Sequence, residues 1–155
     1  MKKLARSCHL SFLSEYLLRS YSNRTDKGHE NTKKQAQKME EFINYLKQIS
    51  PIGEESCNSF ISKCKSFNFS KGKYLLKAGQ VCQYLYFVKS GIGKVYYLKE
   101  DGKEIIDWIS DEGNLLTSVT SFLTQTPSAH YVKLIEDSEL IGISYTDLEE
   151  LFSEY

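Results

Sequence analysis

From Ser66 to Ser144 the chain is a succession of short apolar runs separated by turn residues, and this pattern constrains its fold more than any other feature. Phe67 and Phe69 alternate with polar neighbours, Tyr74-Leu75-Leu76 follows Gly72, and Ala78-Gly79 makes a turn. Tyr84-Leu85-Tyr86-Phe87-Val88 then runs up to Ser90-Gly91. Tyr, Phe, Val and Ile dominate these runs, as expected of pleated, half-buried segments. Lys94 to Lys99 and Glu104 to Ile109 flank Asp101-Gly102, the strongest short-range hairpin signal a sequence can carry. A last pair, Tyr131 to Ile135 and Leu140 to Ser144, is divided by a turn at Glu136-Asp137-Ser138.

Helical periodicity lies outside this region. Met39, Phe42, Ile43, Leu46 and Ile49 fall on one helical face and stop at Ser50-Pro51. A second amphipathic helix is expected from about Glu54 to Lys65, with Cys57, Phe60, Ile61 and Cys64 on its buried side. Thr146-Asp147-Leu148-Glu149 reads as a capping box opening a final helix that carries Leu151 and Phe152. Helices, then many strands, then a helix describe an α+β chain, mainly β, with an antiparallel sandwich or small barrel at its centre. There is no β-α-β alternation, no Gly-rich phosphate loop between strand and helix, and no repeat.

Charge divides the 155 residues in two. Residues 1–38 hold nine Lys/Arg against three Asp/Glu, whereas residues 39–155 hold eleven against seventeen. The expected organisation is therefore a basic arm or linker over 1–38 and one folded domain over 39–155, with Met39 able to serve as a start. Arg6, Arg19 and Arg24 are the only arginines. The basic run near Lys33-Lys34 and Lys38 is read as solvated, and a transit peptide is the lesser reading of the arm. No apolar stretch approaches a membrane span, so the expected location is cytoplasmic, with no membrane partner.

Cys8, Cys57, Cys64 and Cys82 form no C-x-x-C pair, and His9, His29 and His130 are widely scattered, so no metal site is expected. Glu104 and Asp107 are placed on opposite faces of a strand, which argues against a carboxylate pair. No Gly-x-Ser-x-Gly elbow occurs, and His130 has no partner visible in the sequence. His130 is read as a surface or pocket-lip residue. Tyr84, Tyr86, Tyr96 and Tyr97 are read as core and sheet-surface packing rather than a base-stacking platform. No catalytic residue is assigned.

The segment from Lys73 to Tyr145 resembles the effector domain of Crp/Fnr-type bacterial regulators. The matching elements are Gly79 in LLKAGQ, YLYFVKSG ending at Gly91, the EDGKE hairpin, DEGNLL, and EDSELIGISYTDLEEL. FLTQTPS is similar to the branch of that family common in Bacteroidetes-like bacteria. The resemblance implies a cyclic-nucleotide-binding-like β-roll, an antiparallel double-stranded β-helix or jelly roll flanked by short helices. It also implies a phosphate-binding cassette of two parts. Gly-Glu-Leu is followed about ten residues later by Arg-Ser/Thr-Ala, and the Arg pairs with the cyclic phosphate. In the same register this chain has Thr117-Ser118-Val119 and Ser128-Ala129-His130.

The departure has a plain chemical consequence. A bidentate arginine–phosphate contact supplies charge-assisted bonds worth roughly 1.5–3 kcal/mol each. No arginine exists after Arg24, and residues 111–155 hold nine acids with Lys133 as the only base of the Lys/Arg type. Cyclic AMP is therefore expected to bind weakly or not at all. The candidate pocket residues are Thr117, Ser118, Val119, Thr120, Ser128 and Ala129, with no bound cofactor expected beyond an unidentified cyclic nucleotide or other small ligand.

The resemblance further implies a homodimer in the full-length form, and DNA contact only through a domain outside this chain. The resulting expectation is a non-enzymatic, small-molecule-sensing domain of a transcription regulator. A ligand-free dimerisation or scaffold roll stands as the alternative. A cupin-like enzyme is the lesser one, since the strand region holds one His where such a metal site needs two or three.

Overall fold

The computed structural model describes residues 54–154. In chain order these form α1 (Glu54–Lys63), β1 (Lys65–Phe69), β2 (Tyr74–Leu76), β3 (Tyr84–Ser90), β4 (Gly93–Leu98) and β5 (Glu104–Ser110). They continue with β6 (Leu115–Leu116), α2 (Val119–Thr124), β7 (Tyr131–Leu134), β8 (Ser138–Ser144) and α3 (Tyr145–Glu154). The helix expected over Met39 to Ile49 and the basic arm lie outside the described residues.

Every ladder is antiparallel, in two four-stranded sheets of order β1-β8-β3-β6 and β2-β7-β4-β5. The mainly β, antiparallel centre expected from the turn spacing and the roll implied by the family resemblance are the fold observed. Burial explains the arrangement. In β7, Val132 and Leu134 are buried while Tyr131 and Lys133 are half-buried, so this sheet turns one face inward. In β3, Leu85, Tyr86, Phe87 and Val88 are all buried, because the first sheet is covered on both faces. Val88, Val95, Leu116, Val132, Leu134 and Leu140 fill the space between sheets. Leu148 and Leu151 of α3 and Phe60 of α1 join the same core, and the Lys63–Glu150 pair at 2.7 Å ties the two helices together.

The Asp101-Gly102 hairpin forms as expected. Lys99 N–H donates to the Lys103 carbonyl at 3.0 Å, and Gly102 takes φ +81°, a value that favours glycine. Gly91 closes β3 at φ +95°, and a Cβ there would sit 2.2 Å from Ser138 Oγ.

Four local expectations are corrected. The capping residue of α3 is Ser144, not Thr146. Its hydroxyl accepts the Asp147 N–H at 3.0 Å and donates to Asp147 Oδ2 at 2.6 Å, because β8 runs straight into the helix. Helix α1 ends at Lys63, two residues early, since Lys65 is already paired with Gly142 in the sheet. Cys64 thus follows the helix and is half-buried, while Ile61 is 53% exposed; the Cys57 side chain lies outside the described set. Finally, β5 carries a bulge: Val95 pairs with Trp108 but Tyr96 pairs with Ile106, so Asp107 is the extra residue and strict alternation between Glu104 and Asp107 fails.

Candidate ligand-binding site

Thr117 and Ser118 follow β6 directly, and Ser118 is the extended residue before α2. Ser128 and Ala129 lie on the segment from α2 to β7. The Ser118 and Ser128 hydroxyls are 2.9 Å apart, with the residues only 3% and 6% exposed. Ser128 is also tied down by its backbone. Its N–H donates to the Gln80 carbonyl at 2.9 Å, its carbonyl accepts from Gly79 N–H at 2.7 Å, and its Oγ accepts from His130 N–H at 2.9 Å. A bridge between Val81 and Pro127 continues this seam.

The other expected residues divide. Thr117 is buried and donates from Oγ1 to the Tyr84 carbonyl at 3.1 Å, with Cys82 Sγ 3.3 Å away. Val119 packs half-buried against the core. Thr120 and Ala129 are exposed, on α2 and in the loop. The fold thus gathers Thr117, Ser118 and Ser128 and leaves Thr120 and Ala129 outside. Ser121, missed in the sequence, belongs with the buried hydroxyls, accepting from Cys82 N–H at 2.9 Å and donating to the Thr126 carbonyl at 2.6 Å.

Beside this seam a cavity of about 280 Å³ opens between the sheets. Leu75, Leu76, Leu116 and Val132 form its apolar wall, Tyr84, Tyr86 and Thr117 its polar wall, and the segment from Gln80 to Gln83 its rim. Thr117 alone of the expected residues lines it. The alternation of Tyr84 and Tyr86 along β3 was the sequence signal for this wall, since residues two apart share a face. Their rings stack at 5.5 Å and 16°. Burial, with Tyr84 and Cys82 close by, raises the Tyr86 phenol above its ordinary range, so it stays a neutral donor.

No charged side chain lines the cavity. Lys133, next to the wall residue Val132, points to the opposite face of its strand, where its Nζ lies 4.8 Å from the Tyr74 ring centre. Lys77 approaches the same ring at 5.2 Å. On that outer face the Tyr74 and Tyr96 hydroxyls are 3.4 Å apart. Hydrogen bonding from Tyr96, then from Lys133, lowers the Tyr74 phenol, while burial first of all raises that of Tyr96.

His130 has a carboxylate partner that the sequence concealed. Its Nε2 lies 2.5 Å from Asp107 Oδ2, brought there by the β5 bulge. The Ser128 hydroxyl bonds the His130 backbone rather than its ring, so these residues form no nucleophile–base pair. Among the described residues, no group of three or more His, Cys, Asp or Glu is placed to hold a metal ion.

Residues 66–155 match the family model described as the cyclic nucleotide-binding domain. The chain belongs to the cyclic nucleotide-binding domain family. Solved structures share its fold. The catabolite activator protein of Thermus thermophilus is 22% identical with a TM-score of 0.58, over 66% of this chain and 48% of that one. The sensor domain of the transcriptional regulator DNR from Pseudomonas aeruginosa is 20% identical with a TM-score of 0.58, over 74% of this chain and 81% of the other.

A third is the regulatory subunit of a cAMP-independent protein kinase A from Trypanosoma brucei, 18% identical with a TM-score of 0.58, over 77% and 45% of the two chains. That structure is of a mutant, with a threonine-to-arginine change among its substitutions, bound to cAMP in the A site. This chain spans about half the length of the Thermus protein, and at these identities the likeness shows the fold. No curated protein matches the sequence significantly. No helix among the described residues is long and apolar enough to cross a membrane.

Proposed function

We propose that this chain is the ligand-sensing effector domain of a Crp/Fnr-type transcription regulator in which the cyclic-nucleotide cassette no longer serves cyclic AMP. The observation that carries the sensing reading is a direct link from cavity to helix. The N–H of Tyr145, the first residue of α3, donates to the carbonyl of Gln83 on the cavity rim at 2.8 Å. The Gln83 side chain also reaches Gln125 at the end of α2 (3.2 Å), and Phe122 of α2 packs edge-on against Tyr145 at 5.6 Å. A ligand that orders the Gln80–Gln83 rim would bias the setting of α2 and α3 together, a population shift between two helix positions. The protein would act without catalysis, in the cytoplasm, as a homodimer, reaching DNA only through a further domain.

The case against cyclic AMP rests on Ser118 and Ser128. They stand in the register of the cassette glutamate and arginine, yet they satisfy one another. Neither a bidentate cation nor a carboxylate acceptor for a ribose hydroxyl is offered there.

Thermal shift of the full chain tests this. Cyclic AMP and cyclic GMP at millimolar concentration are expected to leave the midpoint unchanged, whereas ligand at about 100 times its Kd would stabilise by ~2.7 kcal/mol. The combined change Thr117→Gly, Ser118→Glu, Ser128→Arg is expected to create a cyclic-AMP-dependent shift. Stabilisation of the unaltered chain by cyclic AMP would overturn the cassette reading.

A further inference from the structure

The cavity lies beside the cassette seam rather than on it, and its chemistry is that of a different ligand. Its wall combines aliphatic side chains, two stacked phenols and the amides of Gln80 and Gln83 at the rim, with no ionisable acid or base of the Asp, Glu, His, Lys or Arg type. Lys77 and Lys133, which the cavity would need to neutralise an anion, lie instead over the outer ring of Tyr74. Thr117 cannot substitute for them, because its hydroxyl already donates to the Tyr84 carbonyl. An anion entering this space would lose hydration and gain no counter-charge, whereas a neutral group loses far less and recovers it through hydrogen bonds.

We infer that the cavity takes an uncharged, ring-containing small molecule, held by apolar contact with Leu76, Leu116 and Val132 and by the phenols of Tyr84 and Tyr86, and that it discriminates against anions including cyclic phosphates. This rests on the reading of the domain as a ligand sensor and names the chemical class it senses. The volume of about 280 Å³ is just below the range of roughly 300–1,000 Å³ for ligand pockets. It suits a one- or two-ring molecule. The stacked tyrosines supply flat apolar surface with a polar tip, the combination that orients a ring carrying one or two hydrogen-bonding groups.

Two dyes with the same ring skeleton test the inference on the full chain. 1-Naphthylamine is neutral, and 8-amino-1-naphthalenesulfonate adds one negative charge on the same two fused rings. Fluorescence titration is expected to show the neutral dye binding at least about tenfold more tightly. Val132→Phe, which fills the cavity, should abolish that binding while the circular dichroism spectrum is retained. Gln80→Lys places a cation at an exposed rim position without disturbing the core, and should narrow the preference for the neutral dye at least about threefold.

Should Val132→Phe fail to fold, the Gln80→Lys comparison decides alone. Equal affinities for the two dyes, or displacement of the neutral dye by cyclic AMP, would overturn the charge discrimination while leaving a ligand sensor. Failure of both dyes to bind, or binding indifferent to both substitutions, would overturn the cavity as the site. The cassette reading would be untouched, since the cyclic-nucleotide thermal shifts test it separately.

Discussion

Ser118 and Ser128 face each other across the seam between α2 and the β2–β3 segment, hydroxyl to hydroxyl at 2.9 Å. Both are buried, and Ser118 makes no side-chain cap to α2, so its hydroxyl depends on this contact. The contact is neutral and internal to the fold.

Ser128→Ala should therefore destabilise the fold by ~1–3 kcal/mol, since it strands the buried Ser118 hydroxyl, and Ser118→Ala by less, since the Ser128 hydroxyl keeps its bond from the His130 N–H. The double variant should cost less than the sum of the singles, because the second change removes the group that the first left unsatisfied. Urea denaturation of the four proteins reads the coupling directly, and strict additivity would show that the hydroxyls do not interact.

The start of α3 offers a discriminating pair. Ser144→Ala removes both halves of the Ser144–Asp147 box and should cost ~1 kcal/mol, whereas Thr146→Ala, one residue inside the helix and exposed, should stay within about 0.5 kcal/mol. Denaturant midpoints of the two variants compare them. Equal losses would place the cap at the wrong residue.

Gly142 is pressed by aromatic rings. A Cβ there would lie 2.8 Å from Tyr86 Cδ1 and 3.0 Å from Phe67 Cε2. Gly142→Ala should destabilise by ~1–3 kcal/mol, the usual cost of overpacking a filled core. Trimming the opposing ring with Tyr86→Leu should recover part of the loss in thermal denaturation of the double variant.

Alkaline pH should weaken the fold through Cys64. Burial, and then the charge of Asp147, pushes its thiol up to about 11. The folded state thus favours the protonated thiol. The associated stability is intact below the ordinary thiol pKa of about 8.5 and is lost as pH rises toward 11. The raised Tyr86 phenol acts in the same direction. Glu104, held low by its bond from Lys94, works at the acid end, where its small contribution disappears as pH falls through its lowered pKa. Peptide-resolved alkylation with iodoacetamide at pH 8 should find Cys64 at least about tenfold slower than in the urea-unfolded chain, since one pKa unit is a factor of ten in thiolate.

The strands announced themselves locally, and so the antiparallel, mainly β centre was legible in the sequence. Period-two alternation at Val132 and Leu134 and the Asp101-Gly102 turn carry their structural meaning within a few residues. Short elements with weak local preference were not visible in this way. Leu115–Leu116 is too brief to show a period, and α2 is built from VTSFLT, whose β-branched residues lean away from helix. It ends instead through tertiary contacts: Gln125 takes the left-handed conformation at φ +53° and donates from its side chain to the carbonyls of Phe122 (2.7 Å) and Cys82 (3.1 Å).

What the sequence determined by itself was the mainly β fold class and the absence of any arginine after Arg24, because alternation, turns and composition are properties of the chain read in order. Only the tertiary structure decided which polar side chains meet. Ser118 and Ser128 are ten positions apart and meet because the seam of Gly79, Gln80 and Val81 holds them together. Asp107 finds His130 because a bulge adds one residue to β5. Lys133 is kept from the cavity because its neighbour Val132 takes the inward face. Charge can be counted along a sequence, but the side of a sheet on which it falls is settled by register and packing.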